Sequence, residues 1–546
     1  MRKLLILVLA LMMSGCASLP SYGPVKVGGP LTEPETQDFE FLPSGPVEGA
    51  TQQEILEGFV AAGSAAQNGY SIARSYLTKA AAADWNPAAE TIVRTSVWDM
   101  QSEGATTLSY SFGVAARVTG DGNYAVESDR SVQTLRFTFQ QIDGEWRISE
   151  LPDAVVLSEV TFAAAFQAYT LYFYDAGRNN LIPDVRMFAR QGDPVTSVAR
   201  AVIGGPSPYL SSAISAFPAT TTLVTAPVSV VNGRATVDIS NDILGSTTDD
   251  QRAMLTQMAS SLQSISGIAS VSFSINQTTL DVQPYIINTD LLEPTVDSRP
   301  LAVVDGTLGC VQSGEVEPLG NLGERIMSIS PLSVSYDSAG FAAVGTASGV
   351  YFVGDSRTRI SSTPSVVAPQ IDDNKAVWWV NRGSNKISVT LGDVHRTFRG
   401  VWPSTASVTA LEVARDNSRL AVLVDTGTSA KLYVASIVRS DSGVPISVGS
   451  FRELDIDADS ATDIAWASST QIAVLAVNGT NQFVALASVG GMTVTLGQPR
   501  QPLAIVGGND GRAGVTVLTD EGMVWQPRGA GWQSTGVTAT LIATQR

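Results

Sequence analysis

Histidine occurs once in these 546 residues, cysteine twice, and basic side chains are few. Each scarcity excludes something. A serine hydrolase needs a histidine base and a strained G-x-S-x-G turn. His395, in LGDVHRTF, is the one candidate base, and the nearest turn of that kind, GTASG at 345–349, carries its serine in the wrong place. Zinc needs a cluster of His, Cys or carboxylates, for which one histidine and two cysteines offer little, so no metal or other cofactor is expected. No glycine-rich phosphate loop follows a strand. Lys plus Arg number 34 against 51 Asp plus Glu, a formal net charge of −17 that disfavours nucleic acid and anionic head groups as partners. The one long apolar run, LLILVLALMM at 4–13, has ten residues, where a spanning helix needs ~20.

That run follows Arg2 and Lys3 and precedes Ser14, Gly15 and Cys16. A positive start, a short apolar centre and small residues before the cut are the marks of an export leader. Residues 1–15 are read as a lipoprotein signal peptide. A cysteine in the first mature position offers a nucleophilic thiol that takes a diacylglyceryl group before cleavage, and MMSGC resembles a bacterial lipobox, with Met13 where leucine is usual. Cys16 is therefore the expected lipid-attachment residue, and Cys310 the one thiol left, with no internal disulfide. Loss of Arg2 and Lys3 takes the net charge to −19. The lipid, not a basic face, is then expected to hold the protein to the membrane, since several acyl chains on one residue anchor stably.

Residues 16–47 form an expected tether, rich in proline and glycine and poor in apolar periodicity, reaching ~90 Å at ~3 Å per residue. In 48–157, TQQE at 51–54 is a capping box, and Ile55, Leu56, Phe59 and Val60 share a helical face. A second helical stretch contains Ala73, Tyr76 and Leu77. The period then becomes two: Leu108, Tyr110, Phe112 and Val114 alternate with polar residues, as do Leu135, Phe137 and Phe139, with a TGDG turn and a hairpin around Asp143-Gly144. Helices before a curved antiparallel sheet make an α+β cone similar in layout to the NTF2-like class.

In 158–288, YTLYFYD reads as a strand and DPVTSVARAVIGGPSP as a helix stopped by Gly204-Gly205-Pro206. A hairpin turns at Asn232-Gly233, a second capping box is read at Thr248 to Gln251, and the stripe Leu255, Met258, Leu262 and Ile265 ends at Gly267. A strand, ASVSFSIN, completes a compact α+β domain. From 301 to 546 the pattern is strand-like throughout. Strand–turn–strand units start near Pro331, Ala368, Val408 and Ala461, bracketing the ~40-residue period of propeller blades. Six blades are expected, because a blade buries both its faces only between two others.

The segment VIGGPSPYLSSAISAFPATTTL with VNGRATVDIS resembles a GerMN domain. With the lipobox before it and the repeats after it, nearly the whole chain is similar to the LpqB family of actinobacterial envelope lipoproteins. The resemblance implies a non-enzymatic protein, lipid-anchored on the extracytoplasmic face of the cell membrane. It also implies binding to the extracytoplasmic part of a two-component sensor histidine kinase and modulation of its signalling; nothing in composition or spacing points to a kinase. The alternatives are a module that binds cell-wall glycan or peptide, with peptidoglycan as partner, and, ranked below it, a cryptic hydrolase.

Two further motifs are read as structural. DIDADSATD at 455–463 has the alternating carboxylates of a calcium loop but Ser460 and Trp466 where that loop needs glycine and glutamate, so it is read as a solvated inter-strand loop. Trp378 and Trp379 are neighbours on a strand and point to opposite faces, which argues for packing over a carbohydrate platform. No catalytic residue is assigned.

Overall fold

The computed structural model describes residues 43–286, 292–312, 314–364, 367–381, 384 and 386–546, within a compact unit from Pro43 to Arg546. The leader, Cys16 and most of the tether lie outside the described residues. Among the described residues no helix is long and apolar enough to cross a membrane.

The first module opens on α1 (Gln52–Ala62), whose N-cap Thr51 and Glu54 bond reciprocally as the TQQE pattern predicts. Its face of Ile55, Leu56, Phe59 and Ala62 is buried. The second helical stretch is shorter than its apolar spacing suggests. α2 (Gln67–Ser75) stops before Tyr76, α3 (Lys79–Asp84) starts afresh with Thr78 as N-cap, and Leu77 between them bridges to Ile148 as a strand residue. Then come β1 (Glu90–Ser102), β2 (Thr107–Thr119), β3 (Tyr124–Val126), β4 (Val132–Ile142), β5 (Glu145–Glu150) and β6 (Val155–Ser158), in sheet order β5-β4-β2-β1-β6 with β3 on β2. The alternating residues of β2 and β4 are all buried in one core with α1 and Trp85. Asp143 and Gly144 both have positive φ, 53° and 85°, the backbone of a primed hairpin turn.

The second module holds α4 (Glu159–Ala165), β7 (Phe166–Asp175), β8 (Leu181–Ala189), α5 (Pro194–Gly204), β9 (Ala213–Ile214), β10 (Ser229–Val231), β11 (Arg234–Asp238), α6 (Thr248–Leu262), β12 (Ser270–Ile275) and β13 (Thr278–Thr279). They form two small sheets, β8-β7-β9 and β10-β11-β12-β13. α6 packs on both, and every residue from Ala253 to Leu262 is buried. Its cap lies one residue earlier than the expected box: the Thr247 side chain accepts from the Asp250 backbone and donates to the Asp250 carboxylate, because Asp250 then occupies the third helical position. The helix also stops at Leu262, short of Gly267. Asn232 and Gly233 make the expected turn between β10 and β11.

The rest is a propeller of six blades, five of them four-stranded and the fourth five-stranded, interrupted among the described residues by one α-helix that the strand-only reading missed, α7 (Gly320–Met327), which buries Leu322 and Ile326. Blade 1 is composite: Leu301–Val304, Thr307–Gln312 and Glu315–Pro318 are completed on the inside by Leu541–Gln545. Blades 2 to 6 occupy 333–361, 370–399, 407–454, 460–497 and 502–538. The closing strand runs antiparallel to Leu301–Val303 and parallel to Ser335–Tyr336, so it joins blade 1 to blade 2 and shuts the ring. Trp378 and Trp379 do face opposite ways. The first lies in the core between blades 3 and 4, the second in that between blades 2 and 3.

Candidate functional site

What the fold builds most deliberately is a set of polar contacts at the junctions between modules. The strand LIPDVRMFA of β8 is buried along eight of its nine residues, including Asp184 and Arg186, which are 0% and 1% exposed. Residues two apart on a strand share a face, and here they pair: Arg186 Nη2 lies 2.8 Å from Asp184 Oδ2 and Nε 3.1 Å. Nη1 crosses to the first module, donating to the Asp121 carbonyl at 2.8 Å and its carboxylate at 3.1 Å. Nη2 also reaches the Gly205 carbonyl. Ser207 completes the cluster, its backbone and hydroxyl donating to Asp184 and its hydroxyl also bonding Asn123. The GGPSP motif is thus a helix stop, with Gly205 at φ 98°, and it also supplies two partners to a buried ion pair.

The second module seats on blades 4 and 5. Ser211 bonds Ser436 at 2.9 Å, and Arg452 stacks 5.0 Å over the Tyr209 ring while donating to the Tyr124 carbonyl of the first module. At Gly490, with φ 113°, a Cβ would stand 2.5 Å from the Val185 carbonyl, so only glycine permits this approach. One core runs continuously from Tyr169 and Leu171 of β7 to Leu432 and Ile456 of the propeller.

Between the first module and blades 4 and 5 lies a polar cavity of about 230 Å³, lined among others by Glu127, Arg130, Lys431, Glu453, Asp455 and Asp457. The DIDADSATD loop forms one wall of it. Its acids are solvated, as an inter-strand loop's are expected to be: Asp457 is exposed and pairs at 3.5 Å with Arg130 of the first module, itself half exposed. No group of three His, Cys, Asp or Glu among the described residues could hold a metal ion. The cone's own cleft, beside Phe59, Trp85 and Phe137, is only about 10 Å³, room for about one water.

Further buried charge lies inside the propeller. Beyond the closing strand, Arg546 turns across the ring, donating to the carbonyls of Val413 at 2.6 Å and Ala414 at 2.9 Å and reaching Asp373 at 3.4 Å. Its backbone N–H bonds Tyr336. Alongside, Glu412 is pushed up to about 8 by burial, against the Trp466 N–H that it accepts, and Asp463 to about 7 by burial.

The residues singled out from sequence do not converge. His395 is exposed on the outer strand of blade 3 beside Thr390, while Ser348 of GTASG sits in a turn of blade 2. Cys310 is a buried free thiol, its pKa raised first by burial and then by Asp297. The residues that sequence reasoning passed over are Asp184, Arg186 and Glu412. For Asp184 and Arg186 a signal was present, an acid and a base two apart inside an otherwise apolar strand.

Residues 45–163 match the family model described as the lipoprotein LpqB N-terminal domain, 170–281 the model for sporulation and spore germination named Germane, and 306–540 the lipoprotein LpqB beta-propeller domain. The chain is 24% identical to lipoprotein LpqB of Cutibacterium acnes over 87% of this chain and 86% of that protein. It is 26% identical to the Nocardia farcinica protein of that name over 84% and 82%. Against the Streptomyces avermitilis protein it is 25% identical over 96% and 94%.

Proposed function

We infer that this chain, which belongs to the LpqB family of lipoproteins, is a non-enzymatic envelope protein moored by a lipid on Cys16 to the extracytoplasmic face of the cell membrane. There it binds the extracytoplasmic part of a two-component sensor histidine kinase and modulates its signalling. The observation that carries this reading is the locking of three modules into one body by a desolvated ion pair and a continuous core. A preformed body presents a large surface to another protein with little ordering cost on binding.

Two measurements test it. Titration of the kinase's extracytoplasmic part onto the chain should give saturable binding, and its absence refutes the kinase as partner. A Cys16→Ala variant should leave the membrane fraction in cell fractionation; retention refutes the lipid anchor. A second reading, binding of wall glycan or peptide, is favoured by the polar cavity beside Arg130. Labelled peptidoglycan fragments that bind while the kinase part does not would establish it, and fragments that are cleaved would sink the non-enzymatic reading.

A further inference from the structure

The chain-wide acidity hides a local reversal. Residues 374–411 contain five Lys or Arg and a single acid, Asp393. In blade 3 three of them, Lys386, Arg396 and Arg399, lie on the outermost hairpin, Lys386–Leu391 with Val394–Arg399, in a register that sets Lys386 directly opposite Arg399. Opposed side chains start about 5 Å apart, and like charges there destabilise the pair. Lys386, Arg396 and Arg399 are exposed. Among the described residues, none of the three side chains has an ion-pair or hydrogen-bond partner. The outer strand of blade 2, Arg357–Ser361, adds exposed Arg357 and Arg359, whose oxygen partners are Ser328 Oγ and the Ser348 and Ser362 carbonyls.

Cations on an outer strand can serve merely to prevent edge-to-edge pairing. That purpose would apply to every blade. Yet the outer strands Pro445–Val448, Val494–Gly497 and Gly531–Thr538 carry no charge, and Glu315–Pro318 carries two acids. Arg452–Leu454, which also edges blade 4, holds its one cation at the junction with Tyr209 and Tyr124, so the exposed cations of the outer strands lie on blades 2 and 3, whereas the second module seats on blades 4 and 5. Exposed apolar side chains accompany them: Val394 on the same strand, Val401 just beyond it, and Ile446 on the adjoining outer strand.

We propose that the outer edge of blades 2 and 3 docks on an anionic lipid bilayer, with Lys386, Arg396 and Arg399 against head groups and Val394 and Val401 entering the interface between them. Interleaved cations and aliphatic side chains suit a bilayer surface better than an acidic protein, which would answer cations with carboxylates and leave the valines in water. The proposal rests on the membrane placement inferred above, because a lipid-held body meets the bilayer at high local concentration.

The test uses the chain from residue 16 carrying Cys16→Ser, so that its failure bears on the blade edge and not on the lipid. Co-sedimentation at low salt compares vesicles of about 30% phosphatidylglycerol in phosphatidylcholine with pure phosphatidylcholine. Each cation at an anionic surface is worth about 5-fold in affinity, so Lys386→Glu, Arg396→Glu and Arg399→Glu together should weaken binding about 100-fold or more. The exposed set Lys79→Glu, Arg234→Glu and Arg500→Glu makes the same change in net charge elsewhere and should retain most of the binding. Melting temperatures matching the parent establish that both variants fold. Equal binding to the two vesicle types, or equal loss in the two triple variants, overturns the proposal. So does capture by soluble polyglutamate with no retention on vesicles, which would assign the edge to an acidic polypeptide.

Discussion

Replacing Arg186 by Met keeps the aliphatic stem and removes the guanidinium, which isolates the buried charge of Asp184. In the intact chain that carboxylate accepts from Arg186 Nε and Nη2 and from the backbone and hydroxyl of Ser207. After the change only Ser207 answers it, at a carboxylate that is 0% exposed. Breaking a buried pair by deleting one partner costs about 3–5 kcal/mol, because the survivor keeps its desolvation penalty. The carbonyls of Asp121 and Gly205 lose donors as well. For a unit of 150–250 residues each kcal/mol shifts Tm by about 2–4 °C, so the transition that includes the second module should fall by roughly 10 °C in calorimetry.

Two controls isolate the cause. Adding Asp184→Leu to Arg186→Met removes both charges and should recover part of the loss, giving a coupling of about 2 kcal/mol or more between sites in contact. The loss should also persist from about 0.05 to 0.5 M salt, since buried pairs are screened little. Arg136→Ala provides the contrast: Arg136 pairs with Glu103 at 2.9 Å but is 74% exposed, and its loss should cost under about 1 kcal/mol. A fall of less than about 2 °C for Arg186→Met, or one that salt abolishes, would refute the reasoning, because a desolvated pair can give neither.

Glu412 makes stability depend on pH. Its folded-state pKa of about 8 stands above the ordinary 4.5, so the folded chain keeps a proton that the unfolded chain releases. The contribution is complete below about pH 4.5 and declines by at most about 1.4 kcal/mol per pH unit as pH rises towards 8. Glu412→Gln should therefore flatten the fall of Tm between pH 5 and 8, and parallel profiles for variant and parent would contradict the raised pKa. Thr51→Ala removes the hydroxyl of the capping box and should cost ~1 kcal/mol in urea unfolding; an unchanged midpoint would mean that Glu54 alone holds the start of α1.

The readable parts of this chain were those whose causes are local. The reciprocal bonding of Thr51 and Glu54, the turns at Asp143-Gly144 and Asn232-Gly233, and the alternation along β2 and β4 each need only neighbouring residues, and each stands where the pattern put it. The blade period was legible for the same reason, and so were the opposed faces of Trp378 and Trp379. What failed needed distant partners. Leu77 leaves its helix because Ile148 offers it a strand bridge, and α7 interrupts the strands because blade 1 presents an apolar surface to cover. Of the candidate site, composition excluded much and located little. The latch at Asp184 and Arg186 draws on residues 121, 123, 205 and 207, which only the fold brings together, and the basic edge was masked by a net charge that averages over the whole chain.

Blade 1 is assembled from strands far apart in sequence, with Thr540 bonding back to Val303 across 237 residues. During synthesis five blades can stack in order while the sixth waits for its closing strand, with Leu301 and Val303 uncovered. Such a half-built ring offers a sticky margin to any neighbour. The ring is therefore finished only when its late strand, Leu541–Gln545, reaches blade 1.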